Sequence, residues 1–263
     1  MRQAKPAGMR VHENRPTRRS SPIPWESSTA GGCILIMHLT RTRVIILGIL
    51  ILTFAVAIIA YPFMPDLLAS HWGFSGEANG YLPKIWGLFL VPLISLGLAL
   101  LLLFIPRIDP LKENIERFRE TYEHFIAVLL LFFLYVSLLV IAWNLGIRFN
   151  LAQLLSPAFG VLFYACGVLV GKAKRNWFIG IRTPWTLSSE NVWDRTHAVG
   201  GLLFRIAGCL ALLGAVIPGI VWFLIIGPIL FISIYLVVYS YREFRKERER
   251  GVPRDQKEGS TFP

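Results

Sequence analysis

Cysteine is scarce: the chain has three in 263 residues, with Cys166 and Cys209 inside apolar runs and Cys33 by itself. That spacing gives neither a disulfide framework nor a metal-ligand set. Histidine is nearly as sparse, with five residues scattered along the chain, and neither H-E-x-x-H nor G-x-S-x-G occurs. No nucleophile with its base, metal cluster or carboxylate pair near a span end is visible, so the sequence predicts a non-enzyme without cofactor or metal. The largest absence is charge. Asp, Glu, Lys and Arg make up 16% of the chain and are missing altogether from long stretches.

What fills those stretches is apolar. Hydrophobic residues make up 54% of the positions and mean hydropathy is +0.56, beyond the usual range of a soluble domain. Segregation of charge from apolar sequence marks a polytopic membrane protein, whose hydrocarbon-facing segments cannot carry unpaired charge. A net charge of +11 would also suit a nucleic-acid binder. Here the basic residues flank apolar runs, which reads as an orientation signal with no direct nucleic-acid contact.

About 20 apolar residues rising 1.5 Å each cross the roughly 30 Å hydrocarbon layer. By that rule spans are expected at Val44–Tyr61, Ile85–Ile105 (ended by Pro106), Phe125–Gly146, Pro157–Gly171 (or from nearer Leu151), Ala198–Ile217 and Ile220–Tyr241. Pro218-Gly219 alone separates the last two, predicting a tight helical hairpin, and Gly227-Pro228 should bend the sixth helix. Of the 27 Lys and Arg residues, 24 lie in 1–43, 107–123, 172–197 and 242–263, against Lys84 and Arg148 on the other side and Arg205 inside the fifth span. The positive-inside rule then predicts an all-α integral membrane protein of the cell membrane with six transmembrane helices and both termini cytoplasmic.

Four parts follow. Residues 1–36, rich in Arg, Ser and Pro, lack an apolar core of signal-peptide length and are expected to be disordered, or a non-native extension if translation starts at Met37. Residues 37–106 hold two spans and an extracellular loop at 63–84. Residues 107–241 hold four spans and a cytoplasmic loop at 172–197, and 242–263 form a basic cytoplasmic tail.

In the outer loop Asp66 is expected to begin a short helical turn that Gly73 stops. Gly76 and Asn79-Gly80 are turn formers, so the loop should be compact. Trp72, Phe74 and Tyr81 suit the headgroup belt. His71 with Asp66 and Glu77 reads either as a metal or proton-sensing site or, more plainly, as a histidine bonded within its own loop.

The inner loop carries Asn176-Trp177-Phe178-Ile179-Gly180-Ile181-Arg182-Thr183-Pro184-Trp185-Thr186-Leu187. Lys172, Lys174 and Arg175 should hold the end of the fourth span at the headgroups. Gly180 permits an unusual backbone angle and Pro184 keeps Thr183 extended. Ser188 is the expected N-cap of a helix with Glu190 in its first turn, on which Trp193, His197, Gly201 and Arg205 share a face. One reading makes Trp177, Trp185 and Trp193 interface anchors and pairs Arg182 with lipid phosphate. The other gathers Arg182, Thr183, Trp185 and His197 into a pocket or docking surface. Arg205 either snorkels to the headgroups or pairs with Asp194, Glu190 or a carbonyl of the Arg182 loop. Ala207, Ala211 and Ala215 permit close helix packing.

Both loops resemble those of the SdpI-type membrane proteins of bacteria and archaea. Pro65, His71, Gly76, Gly80, Tyr81 and Lys84 follow the pattern of the small domain that starts these proteins. Pro157, Gly160, Asn176, the run Gly180-Ile181-Arg182-Thr183-Pro184-Trp185-Thr186-Leu187, then Glu190, Trp193, Thr196 and His197 follow its second part. The resemblance spans roughly 61–241 and implies a membrane immunity protein. A secreted peptide toxin would be sensed or blocked at the outer loop, and a cytoplasmic repressor held at the inner one. Two other functions compete: a small-solute or ion transporter using the polar set Asn144, Arg205 and His197, and an orphan membrane sensor. Two polar groups near span ends, Asn144 and Arg205, are too few for the broken helices and midplane sites of transporters.

Overall fold

The computed structural model describes residues 40–73 and 76–251. The expected extension at 1–36, the Met37 start, Phe74 and the end of the basic tail lie outside the described residues. Six helices are long and apolar enough to cross a membrane: α1 (Arg41–Ala60), α2 (Lys84–Ile108), α4 (Arg119–Asn144), α5 (Leu151–Lys172), α7 (Glu190–Leu213) and α8 (Val221–Gly251). Two helices of five residues each, α3 (Lys112–Glu116) and α6 (Pro184–Ser188), lie in the connections. The large apolar side chains that face outwards, Ile51, Ile59, Phe223 and Ile234 among them, are 61–74% exposed, a surface suited to hydrocarbon.

The helices outrun the expected spans, because their polar end turns are also helical. α4 begins six residues before Phe125, and α8 continues ten residues beyond Tyr241. The extra turns of α8 are held by Arg245–Glu249 at 3.3 Å and Lys246–Glu243 at 2.7 Å, pairs at helical spacing. α2 does not stop at Pro106 but runs to Ile108. A proline leaves the carbonyl four residues back without its helical donor. Here that carbonyl belongs to Leu102, and the Tyr122 hydroxyl of α4 donates to it at 2.8 Å. At the other end of the bundle Pro218–Ile220 forms one 3-10 turn between α7 and α8, giving the tight hairpin expected there.

The segment 64–83 departs from the reading. Asp66 begins no helical turn: Leu67–Trp72 (β1) pairs antiparallel with Ala78–Pro83 (β2). Leu68 is fully buried and packs with Ala57, Ala60, Met64, Leu88 and Ile141, which anchors the hairpin on the helix ends. Gly80 faces His71 so closely that a Cβ there would lie 2.9 Å from the His71 Cβ. Asn144, at the end of α4, closes the outer edge of β1. Its Oδ1 accepts from the Ala69 amide at 2.8 Å, and its Nδ2 donates to Ala69 O at 3.1 Å and to Val140 O at 2.9 Å.

The main core joins Ile46, Ile49 and Leu50 of α1, Ala99 of α2 and Ile126 and Leu130 of α4, and it continues to Ile179 and Trp193. Where α1 meets α4, the buried Glu123 carboxylate accepts from Arg43 Nε at 2.9 Å, Thr40 Oγ1 at 2.9 Å and Arg119 Nε at 3.3 Å. A buried carboxylate persists only with such partners. The most extensive helix pair is α5 with α7, and glycine sets its closeness. A Cβ on Gly208 would fall 2.7 Å from Gly160 O and from Tyr164 N, and one on Gly167 would fall 2.7 Å from Gly201 O. Ala207 and Ala211 are buried as expected of a small-residue stripe, but the tightest contacts run through the glycines.

Gly208→Leu should therefore lower the unfolding temperature in detergent, with a loss of about 1–3 kcal/mol from overpacking. Gly48→Leu, at a site with nothing within 4 Å of an added Cβ, should leave it unchanged.

Candidate functional site

Residues 173–189 join α5 to α7, and 173–183, before α6, have no regular structure, so every backbone group that is buried there needs a partner. Asn176, completely buried, supplies four. Its Oδ1 accepts from Phe178 N at 2.9 Å and Ile179 N at 2.6 Å, and its Nδ2 donates to Lys174 O and Ile179 O at 2.8 Å each. The side chain is thereby used to capacity. Asp109, 2% exposed, ties the loop to the end of α2: Oδ1 accepts from Leu111 N at 2.7 Å and Oδ2 from Trp177 N at 2.9 Å. Asn114 of α3 donates to Arg175 O at 2.8 Å.

The second half of the loop closes on α7. Ile181 N donates to His197 Nε2 at 2.9 Å, while His197 Nδ1 lies 2.8 Å from Trp193 O. An amide can only donate and a carbonyl only accept, so these two partners fix neutral imidazole with its proton on Nδ1. The ring stacks on Trp193 with centroids 3.9 Å apart, and Trp193 Nε1 donates to Ala173 O at 2.8 Å. Gly180 stands against this pair with φ +113°. An added Cβ would collide with His197 Nε2 and sit 3.3 Å from Trp193 Cζ2, so glycine is required twice over, by angle and by space.

Thr183 caps α6 in a reciprocal box with Thr186 and donates to Ser240 Oγ of α8 at 3.1 Å. Pro184 occupies the first helical position, where its missing N–H costs nothing. Trp185 packs on Tyr241 with ring centroids 5.1 Å apart. Ser189, rather than Ser188, caps α7, accepting from Val192 N at 3.3 Å, and its hydroxyl donates to Glu247 at 2.6 Å. Lys174 and Arg175 pair with Asp194 and Glu190 at 3.3 and 3.7 Å.

The loop therefore encloses Asn176, Gly180, Thr183, Trp193 and His197 and turns Trp177, Phe178, Arg182 and Pro184 outwards. Trp193, expected as an interface anchor, is fully buried, whereas Trp177 is 52% exposed. Arg182 does not meet His197 in a pocket; its guanidinium donates to Trp177 O at 2.8 Å. Arg205 pairs with none of its expected partners and donates from Nε to Gly201 O at 3.0 Å in its own helix. Asp109, Asn114 and Ser240 were not singled out from sequence. Only Asp109 carried a local signal, as an Asx-turn residue before Pro110 at a helix end.

The hairpin holds the other candidate set. His71 Nδ1 lies 2.5 Å from Asn79 Oδ1, so the histidine is bonded inside its own loop. Among the described residues no group of three His, Cys, Asp or Glu side chains could hold a metal ion. Trp72 packs edge-on against Trp143 at 5.8 Å. Gly76 takes φ +84°, and Tyr81 is 60% exposed. Asn144 belongs to the hairpin clamp rather than to a polar set with His197. α2 runs 25 residues from the hairpin at Lys84 to Ile108, beside the Asp109 contact with the loop, so the two sites stand about 37 Å apart at its rise per residue.

If these bonds hold the loop shut, Asn176→Asp, which gives up both donors, and Gly180→Ala should each ease local opening by about 1–3 kcal/mol. Tryptic cleavage at Arg175 or Arg182 in detergent should accelerate roughly tenfold. Cleavage at the wild-type rate in both variants would contradict the arrangement.

Each of the two ordered connections lies within a segment that matches a known family. Residues 48–96 match a domain of unknown function, DUF1648, and residues 172–240 match the SdpI/YfhL protein family. The immunity protein SdpI of Bacillus subtilis (strain 168) is 24% identical over 207 residues, covering 78% of this chain and 97% of that protein. No solved structure matches. The chain is thus a multi-pass membrane protein similar to SdpI, with the segment that matches the SdpI/YfhL family built around Asn176 and His197 and the segment that matches DUF1648 containing the hairpin.

Proposed function

We propose that this chain is a membrane immunity protein that works by binding and has no catalytic chemistry. The hairpin at 64–83 senses or blocks a secreted peptide toxin outside the cell, and the loop at 173–189 holds a cytoplasmic repressor. The distribution of Lys and Arg supports that orientation. The similarity to a protein named for immunity supports the general role.

One observation carries the reading: two rigid, internally bonded connections stand at opposite ends of the same helix, each with aromatic or charged side chains turned outwards. The hairpin offers Tyr81 and His71, and the loop offers Trp177, Phe178 and Arg182. Rigid aromatic and arginine side chains are what a protein-binding surface needs. The transporter reading loses its polar set. Asn144 is spent on the hairpin, His197 on the loop at the opposite end, and Arg205 on its own helix.

The test is survival of a sensitive host expressing the protein and challenged with killing peptides from the source organism and its relatives. His71→Ala, and Asn144→Ala, which unclamps the hairpin, should reduce protection at equal membrane levels. Arg182→Ala should abolish capture of the repressor while protection and insertion persist. Absence of protection against every peptide by the wild-type protein would reject the immunity role.

A further inference from the structure

A groove runs down the outside of the bundle with α5 as its floor and α4 and α7 as its walls. Its first compartment, of about 460 Å³, opens beside the SdpI/YfhL loop. Val128 and Val161 continue it into a second, of about 380 Å³, walled by Phe132 and Tyr135. The close glycine contact between α5 and α7 lies along it, with Gly160 on the floor and Gly208 on the wall.

The groove has its basic side chains at one end only, with Tyr164 and Tyr135 further along it. Thr121, His124 and Lys172 stand at its mouth and Val128, Val161 and Leu212 further in. Among the described residues none of the three polar side chains has a hydrogen bond or ion pair within the chain. Lys174 pairs with Asp194, Arg175 with Glu190 and Arg119 with Glu116. Lys172 has no acidic partner among the described residues and is an exposed ammonium at the last residue of a membrane-spanning helix. From Lys172 to Gly160 the floor measures about 18 Å, close to one leaflet of a hydrocarbon core roughly 30 Å thick.

We propose that this groove is a binding site for one anionic glycerophospholipid from the leaflet on the side of the SdpI/YfhL loop. Lys172, with His124 and Thr121 as further donors, takes the phosphate, and an acyl chain lies over Gly160 and Val161 towards Phe132. The charge at the mouth selects the headgroup, and the apolar floor of one-leaflet length selects a lipid over a soluble phosphate. The site does not depend on the immunity reading.

The experiment is native mass spectrometry of the full chain, delipidated in detergent and titrated with dioleoyl phosphatidylglycerol or dioleoyl phosphatidylcholine. One phosphatidylglycerol should bind in preference to phosphatidylcholine. Lys172→Gln should weaken it about tenfold, and Val161→Trp, at an exposed position that fills the groove, should abolish it. Equal uptake of the two lipids, or unchanged binding in both variants, would overturn the proposal. So would a wild-type dimer that Val161→Trp splits, since a second copy would then be the occupant.

Discussion

The hydrogen bond from Ile181 N–H to His197 Nε2 is the contact on which the loop between α5 and α7 depends. It brings the loop backbone onto the axis of α7, and it works only because His197 gives its single proton to Trp193 O. Around it the other requirements follow. Trp193 must stack beneath the ring and reach Ala173 O, and Gly180 must be glycine because any side chain would take the space of the imidazole. Asn176 completes the enclosure by bonding the backbone that the histidine does not reach. A chain that leaves helical geometry at a membrane surface has to satisfy its own polar groups, and Asn176, His197 and Trp193 do so together with Asp109, Asn114 and Thr186.

The same principle accounts for the opposite end. Asn144 closes the edge of β1 with two bonds to Ala69, so the outer edge of a two-stranded sheet, marginal by itself, is finished by a helix end. Between the two ends, buried glycines let α5 and α7 approach until backbone meets backbone. The bundle thus carries one bonded connection at each end of α2.

The six helices were legible because apolar length alone marks a span, and the hairpin turn at Pro218 because nothing else lies between two such lengths. Helix ends were misjudged where charged turns continue the helix, as at Arg119 and beyond Tyr241, since hydropathy stops at the headgroups and backbone bonding does not. The β-hairpin was hidden: Leu67–Trp72 shows no alternation of apolar and polar residues, and its partners are Leu88, Ile141 and Asn144, distant in sequence. Trp193 was read as an anchor because composition cannot tell a tryptophan that faces lipid from one that roofs a histidine. Within the loop and α7, Asn176, Gly180, Thr183, Trp193 and His197 were named from the resemblance and spacing. Their mutual bonding, and the part of Asp109, came only with the fold.

The most direct measurement is the nitrogen-15 NMR spectrum of the protein in lipid nanodiscs with labelled histidine, the His197 signals being assigned by their loss in His197→Gln. The account predicts neutral imidazole at neutral pH, protonated at Nδ1 and bare at Nε2, with the Nε2 signal coupled to the Ile181 amide. A proton on Nε2, or a charged ring, would mean that the loop is not closed on α7 through this bond, and would contradict the account.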